Sequence, residues 1–77
     1  MTKIYIIEDL GVNVVELDLL REDDTFVYAR YSWQSGRGYA FPKYFARSTK
    51  VQALEDSVKM LEKTIKEHRS ELRKIIE

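Results

Sequence analysis

From Val51 to Ile75 one set of residues recurs at spacings of 3, 4, 3, 4, 3, 4 and 3: Val51, Leu54, Val58, Leu61, Ile65, His68, Leu72 and Ile75. That is the period of a coiled-coil seam, a stripe narrow enough for a second helix to cover. Lys43 to Glu77 contains neither Gly nor Pro, so nothing interrupts the pattern. Thr49 is a suitable start, because its hydroxyl can accept from the amide of Gln52 while the Gln52 side chain reaches back in a T-x-x-Q capping box. Ser48 offers a similar cap.

Before Ser48 the period changes to two. Lys3 to Glu8, Val12 to Leu20 and Phe26 to Trp33 read as strands rich in β-branched and aromatic residues. Asp9-Leu10-Gly11, Glu22-Asp23-Asp24 and Ser35-Gly36-Arg37-Gly38 separate them as turns. A fourth strand is expected from Tyr39 to Arg47, at an edge or bulged, because Pro42 cannot donate to a ladder. The expected fold is α+β, a single domain. An antiparallel four-stranded β-meander over residues 1–48 is followed by one long C-terminal helix over 49–77 that forms an intermolecular coiled coil.

Length carries the step from helix to oligomer. About 29 helical residues make a rod of roughly 43 Å, whereas strands of about eight residues span roughly 27 Å and four side by side roughly 19 Å. The helix must overhang its sheet. Its first three turns, Val51 to Leu61, can pack on the sheet, while the remainder needs a partner. Val58, Leu61, Ile65, His68, Leu72 and Ile75 are therefore read as an oligomer interface. Flanking charges leave its direction open: a parallel pair sets Lys50 against Glu55 of the partner, and an antiparallel pair sets Glu55 against Arg69 but Glu62 against its own copy.

The 13 basic and 13 acidic residues cancel only on average. Residues 1–25 hold seven acids against Lys3 and Arg21, residues 26–50 hold five bases and no acid, and the helix is balanced. Eight of the nine aromatic residues lie in the same basic stretch. If Ser35 to Gly38 closes a symmetric hairpin, cross-strand partners sum to 73 and alternation sorts the side chains. One face then carries Phe26, Tyr28, Arg30, Tyr39, Phe41, Lys43, Phe45 and Arg47. The other, with Val27, Ala29, Tyr31, Trp33, Ala40, Tyr44 and Ala46, suits the core. Arg30 and Lys43 would lie directly opposite, a repulsive pair that needs either Glu16 or Asp18 from the neighbouring strand or an external anion. Arg30, Arg37, Tyr39, Phe41, Lys43 and Arg47 are accordingly the expected binding residues, for an acidic protein surface or, alternatively, for a nucleotide or single-stranded nucleic acid.

Chemistry is sparse by comparison. His68 is the lone histidine, and with Glu71 at H-x-x-E spacing it offers too few ligands for a metal; it reads as a polar d-position residue that helps fix register. Ser35-Gly36-Arg37-Gly38 is followed by a strand rather than a helix, so it is not a phosphate-binding loop. No nucleophile is paired with a base, and neither enzymatic activity nor a cofactor is expected. No apolar run approaches the roughly 18 residues of a membrane span, nothing resembles a signal peptide, and cysteine is absent, so a cytoplasmic protein is expected.

The junction Tyr44-Phe45-Ala46-Arg47-Ser48-Thr49-Lys50-Val51-Gln52-Ala53, closing a short meander and opening a helix, resembles that of many small phage-encoded proteins, in which an aromatic-x-x-Ser/Thr-Lys step links the last strand to the helix. The resemblance implies a host-takeover or anti-defence inhibitor that acts by stoichiometric binding.

Overall fold

The alternation of Lys3 to Glu8 becomes β1 (Lys3–Glu8) in a computed structural model of the chain that describes residues 2–76. Met1 and Glu77, the outermost residues of the two expected segments, lie outside the described residues. β2 (Asn13–Glu22) and β3 (Phe26–Arg30) follow, then β4 (Tyr39–Pro42) and a two-residue β5 (Ala46–Arg47). α1 (Lys50–Ile76) completes the chain as described. The protein is thus α+β, with an antiparallel sheet ordered β4-β3-β2-β1-β5.

Five strands form where four were expected, because the segment from Tyr39 to Arg47 does not remain one strand. Pro42 ends β4, Lys43–Phe45 makes a single 3-10 turn, and Ala46 and Arg47 pair with Ile6 and Tyr5 at the opposite sheet edge. Four strand spacings in a flat sheet come to roughly 19 Å, and the four residues from Pro42 to Ala46 reach at most about 14 Å. The sheet must therefore curl until its two edges approach. Its concave side holds the core: Ile4, Ile6, Leu17, Val27 and Ala29, with Val15, Leu19, Phe41 and Ala46 packed against them from five strands.

The hairpin register also differs from the symmetric expectation. Val27 pairs with Phe41 and Tyr28 with Ala40, so partners sum to 68 rather than 73. An odd shift exchanges faces. Phe41 consequently joins Val27 and Ala29 in the core, while Tyr31, Trp33, Ala40 and Tyr44 are exposed instead of buried under the helix. The expected Arg30–Lys43 pair does not form. Asp18 of β2 lies opposite Arg30, which places the internal acid beside the base, although the Asp18 carboxylate accepts from Lys3.

α1 lies across β5, β1, β2 and the Asp9–Gly11 turn. Arg47, register partner of Tyr5, sends its Nε to Asp56 of the helix at 2.6 Å. The helix therefore covers the convex side, the side of Tyr5 and the buried Ile7. Thr49 Oγ1 accepts from the Gln52 amide at 3.2 Å, the first half of the capping box. The Gln52 side chain does not reach back but donates to Asp56 at 3.0 Å, because that carboxylate is already fixed by Arg47.

Which helical face meets the sheet is the main departure from expectation. Ala53 and Ser57 are buried and Met60 and Thr64 half-buried, whereas Val51, Leu54 and Val58 point to solvent. Close approach explains the choice. Gly11, at φ +102°, brings its backbone against the Ser57 carbonyl, and a Cβ there would lie 3.1 Å from Met60 Cβ and 3.2 Å from Leu61 Cγ. Small residues on both sides allow this packing; a Val51–Leu54–Val58 ridge does not.

Candidate functional site

Two surfaces remain unspent by the fold, and the first is the seam itself. Seven of its positions and their neighbour form a continuous apolar stripe: Val51, Leu54, Val58, Ile65, Leu72, Ile75 and Ile76 are 45 to 81% exposed, and only Leu61 is half-covered, by the Gly11 turn. His68 is exposed on the same stripe. An apolar face of this length is uncommon on a monomeric protein. The helix, at 27 residues or roughly 40 Å, dominates a molecule whose principal extents are 53 × 24 × 21 Å.

The second surface is the convex side of β3, β4 and the C-terminal end of β2. An extra residue, Leu20, bulges β2 between Leu19 and Arg21, so that Arg21 rather than Leu20 stands opposite Tyr28. The Arg21 guanidinium lies over the Tyr28 ring, 3.7 Å from its centre, a cation–π arrangement that uses the face of the guanidinium and leaves its N–H edges. Tyr28 is held in turn, its hydroxyl donating to Asp23 Oδ2 at 3.0 Å. Asp23 also accepts from the amides of Phe26 (2.8 Å) and Thr25 (2.9 Å). Those bonds, that from Phe26 foremost, hold its carboxyl below the usual aspartate range.

Arg21, Tyr28 and Arg37, with Leu20, Gly38 and Ala40, line an open cleft of about 540 Å³. Gly38 is required in its wall: at φ +71° its missing Cβ would collide with the Ala29 carbonyl and sit 3.1 Å from Leu20 Cδ1. Beside the cleft the residue 31–38 loop carries an exposed aromatic pair. Tyr31 and Trp33 stack with ring centres 5.3 Å apart and planes at 13°, although Trp33 is 77% exposed. Reciprocal bonds between Tyr31 and Gln34, the Tyr31 amide to Gln34 Oε1 and the Gln34 amide to the Tyr31 carbonyl, each 3.0 Å, hold the loop. Rings ordered before a partner arrives lose little entropy on binding.

The six residues expected on one binding face are dispersed by the curl and the register. Arg37 is exposed on the cleft and Tyr39 is largely exposed at the start of β4. Lys43 is exposed, with Glu22 4.0 Å away, and Arg30 donates to the Gly36 carbonyl, shaping the loop. Phe41 belongs to the core. Arg47 sits at the far edge, spent on Asp56 and on the carbonyls of Tyr44 and Ala46 at 2.6 and 2.8 Å; its guanidinium, ahead of Gln52, holds the Asp56 carboxyl below the usual range. Arg21, Tyr28, Tyr31 and Trp33 take their place. Arg21 had one signal in the sequence, as a lone arginine in an acidic run, and the bulge that aims it had none.

Among the described residues no group of three or more His, Cys, Asp or Glu side chains could hold a metal, and no helix is long and apolar enough to cross a membrane. Comparison with protein-family models, curated proteins and solved structures finds no match for this chain.

Proposed function

We propose that this is a non-enzymatic binding protein of the cytoplasm that homodimerises through α1 and engages an acidic protein partner through the convex surface of β2, β3 and β4. The observation that carries the reading is the apolar seam, exposed at every apolar position but the half-covered Leu61. A second copy covers it with complementary chemistry, and the sheet surface stays free for a different partner. Arginines at the cleft favour an acidic counterpart, and the exposed Trp33 fits the aromatic anchor typical of protein interfaces. Stoichiometric inhibition is the mode of action that the resemblance to small phage-encoded proteins implies.

A second reading, binding of a nucleotide or single-stranded nucleic acid, draws support from the exposed Tyr31–Trp33 stack, carried on the same loop as Arg37. Zero net charge weakens it, because nucleic-acid binders usually carry a basic domain. Native mass spectrometry of the purified protein separates the two: a dimer without bound nucleotide is expected, a nucleotide adduct moves the function to the second reading, and a monomer contradicts both the seam and the proposal.

A further inference from the structure

The helix direction follows from combining the seam with the side of α1 that the sheet occupies. In heptad terms the a positions are Val51, Val58, Ile65 and Leu72, and the d positions are Leu54, Leu61, His68 and Ile75. Ser57 and Thr64 stand on the g flank; Ser57 is buried, with its carbonyl against the Gly11 turn, and Thr64 is half-buried. A trimer or tetramer must lay helices against that flank as well as against a and d. The sheet already occupies it, which restricts the assembly to two strands.

β-branched residues at a with leucine at d are the pattern of parallel two-stranded coils, whose a and d pockets differ in shape. The first two heptads match in full, and Ile65 extends the match at a. Charges on the flanks do not decide, since a parallel, in-register pair sets Lys50 of each copy against Glu55 of the other and an antiparallel pair sets Glu55 against Arg69 but Glu62 against its own copy, so the a and d pattern carries the direction.

We infer that two copies of this chain pair through α1 in parallel and in register, an inference that rests on the dimer proposed above. Both curled sheets then stand at the same end of the rod, and both Arg21–Tyr28–Arg37 clefts and Trp33 loops are presented together. The protein is a bivalent binder, and two linked sites hold a repeating or dimeric partner more tightly than either site alone.

The chain has no cysteine, so single cysteines report direction cleanly. Leu54→Cys and Leu72→Cys proteins are oxidised separately and as an equimolar mixture, and each is sedimented under reducing conditions. Parallel pairing places each position beside its own copy, so each variant alone converts to a disulfide-linked dimer. Antiparallel pairing sets position 54 beside position 72 and separates like positions by roughly 27 Å, far beyond the roughly 4.4 to 6.8 Å between Cα atoms that a disulfide spans. A covalent dimer appearing only in the mixture would overturn the parallel arrangement while keeping the dimer. Reduced proteins that sediment as monomers and fail to cross-link would overturn the dimer and the inference with it.

Discussion

The two long faces of α1 invert the usual relation between side-chain size and burial. The face that packs inward uses Ala53, Ser57 and Thr64, with Ser57 against Gly11, while the valines, the isoleucines and every leucine but the half-buried Leu61 are left outside. A single helix covering a single sheet would bury its largest apolar residues, since each is worth roughly 1.5 to 3 kcal/mol. The difference teaches that the inner face is selected for close approach rather than for side-chain size, and it leaves the outer face to the partner proposed above. In the proposed dimer, burial within one chain and association between chains are divided between the two sides of one helix.

Substitution on each side should separate these roles. Ile65→Asp with Leu72→Asp should have the largest effect, removing roughly 1.5 to 3 kcal/mol per position from apparent stability in urea and abolishing any dependence of the midpoint on protein concentration. The sheet should stay folded, because neither residue touches it. Gly11→Val acts on the inner face: a β-branched residue at φ +102° that also collides with Ser57 and Met60 should cost about 3 kcal/mol or more. Unlike the seam variant it should lower the midpoint equally at every concentration.

The strap between sheet and helix should appear in the pH dependence. The carboxyls of Asp56 and Asp23 titrate below the ordinary aspartate value, so their contributions are complete above about pH 4 and are lost as pH falls through the lower values of the folded state. Thermal melts should decline on the acid side, and Asp56→Asn should flatten that decline. Lys3 is shifted upward by its hydrogen bond to Asp18. Its contribution is present through neutrality and fades only in the alkaline range, as pH rises through the raised value.

Smaller effects test the remaining residues. His68→Leu should raise the melting temperature of the dimer by a few degrees, since a leucine replaces a polar d residue; release of a metal or loss of activity would show another role. Trp33→Ala should change stability by no more than about 0.5 kcal/mol, as exposed substitutions do, yet weaken partner binding. Its fluorescence is that of the only tryptophan, which makes the wild type its own reporter.

The sequence was most readable where one signal acted alone. Lys3 to Glu8 alternates as far as Ile6 within a β-rich run and forms β1 with the expected ends, and Thr49 caps the helix as its hydroxyl predicts. It was least readable between Tyr31 and Arg47. Alternation continues through Tyr31 and Trp33, but the backbone leaves the sheet after Arg30 because the Gln34 side chain takes the Tyr31 amide. Pro42 reads as a local bulge, whereas its consequence is global: the chain crosses to the far edge, and Arg47 goes with it. A register error of odd size then moved Phe41 from the surface to the core. Heptad spacing located the exposed stripe, but the face meeting the sheet depended on Gly11, whose partner 46 residues away in sequence no local pattern encodes.

Sedimentation velocity of the wild-type protein over a range of micromolar concentrations tests the division between the two faces most directly. The account predicts a species of twice the 9.1 kDa chain mass, reduced to a single chain mass in the Ile65→Asp/Leu72→Asp protein. A wild type that sediments as a monomer at every concentration would contradict it.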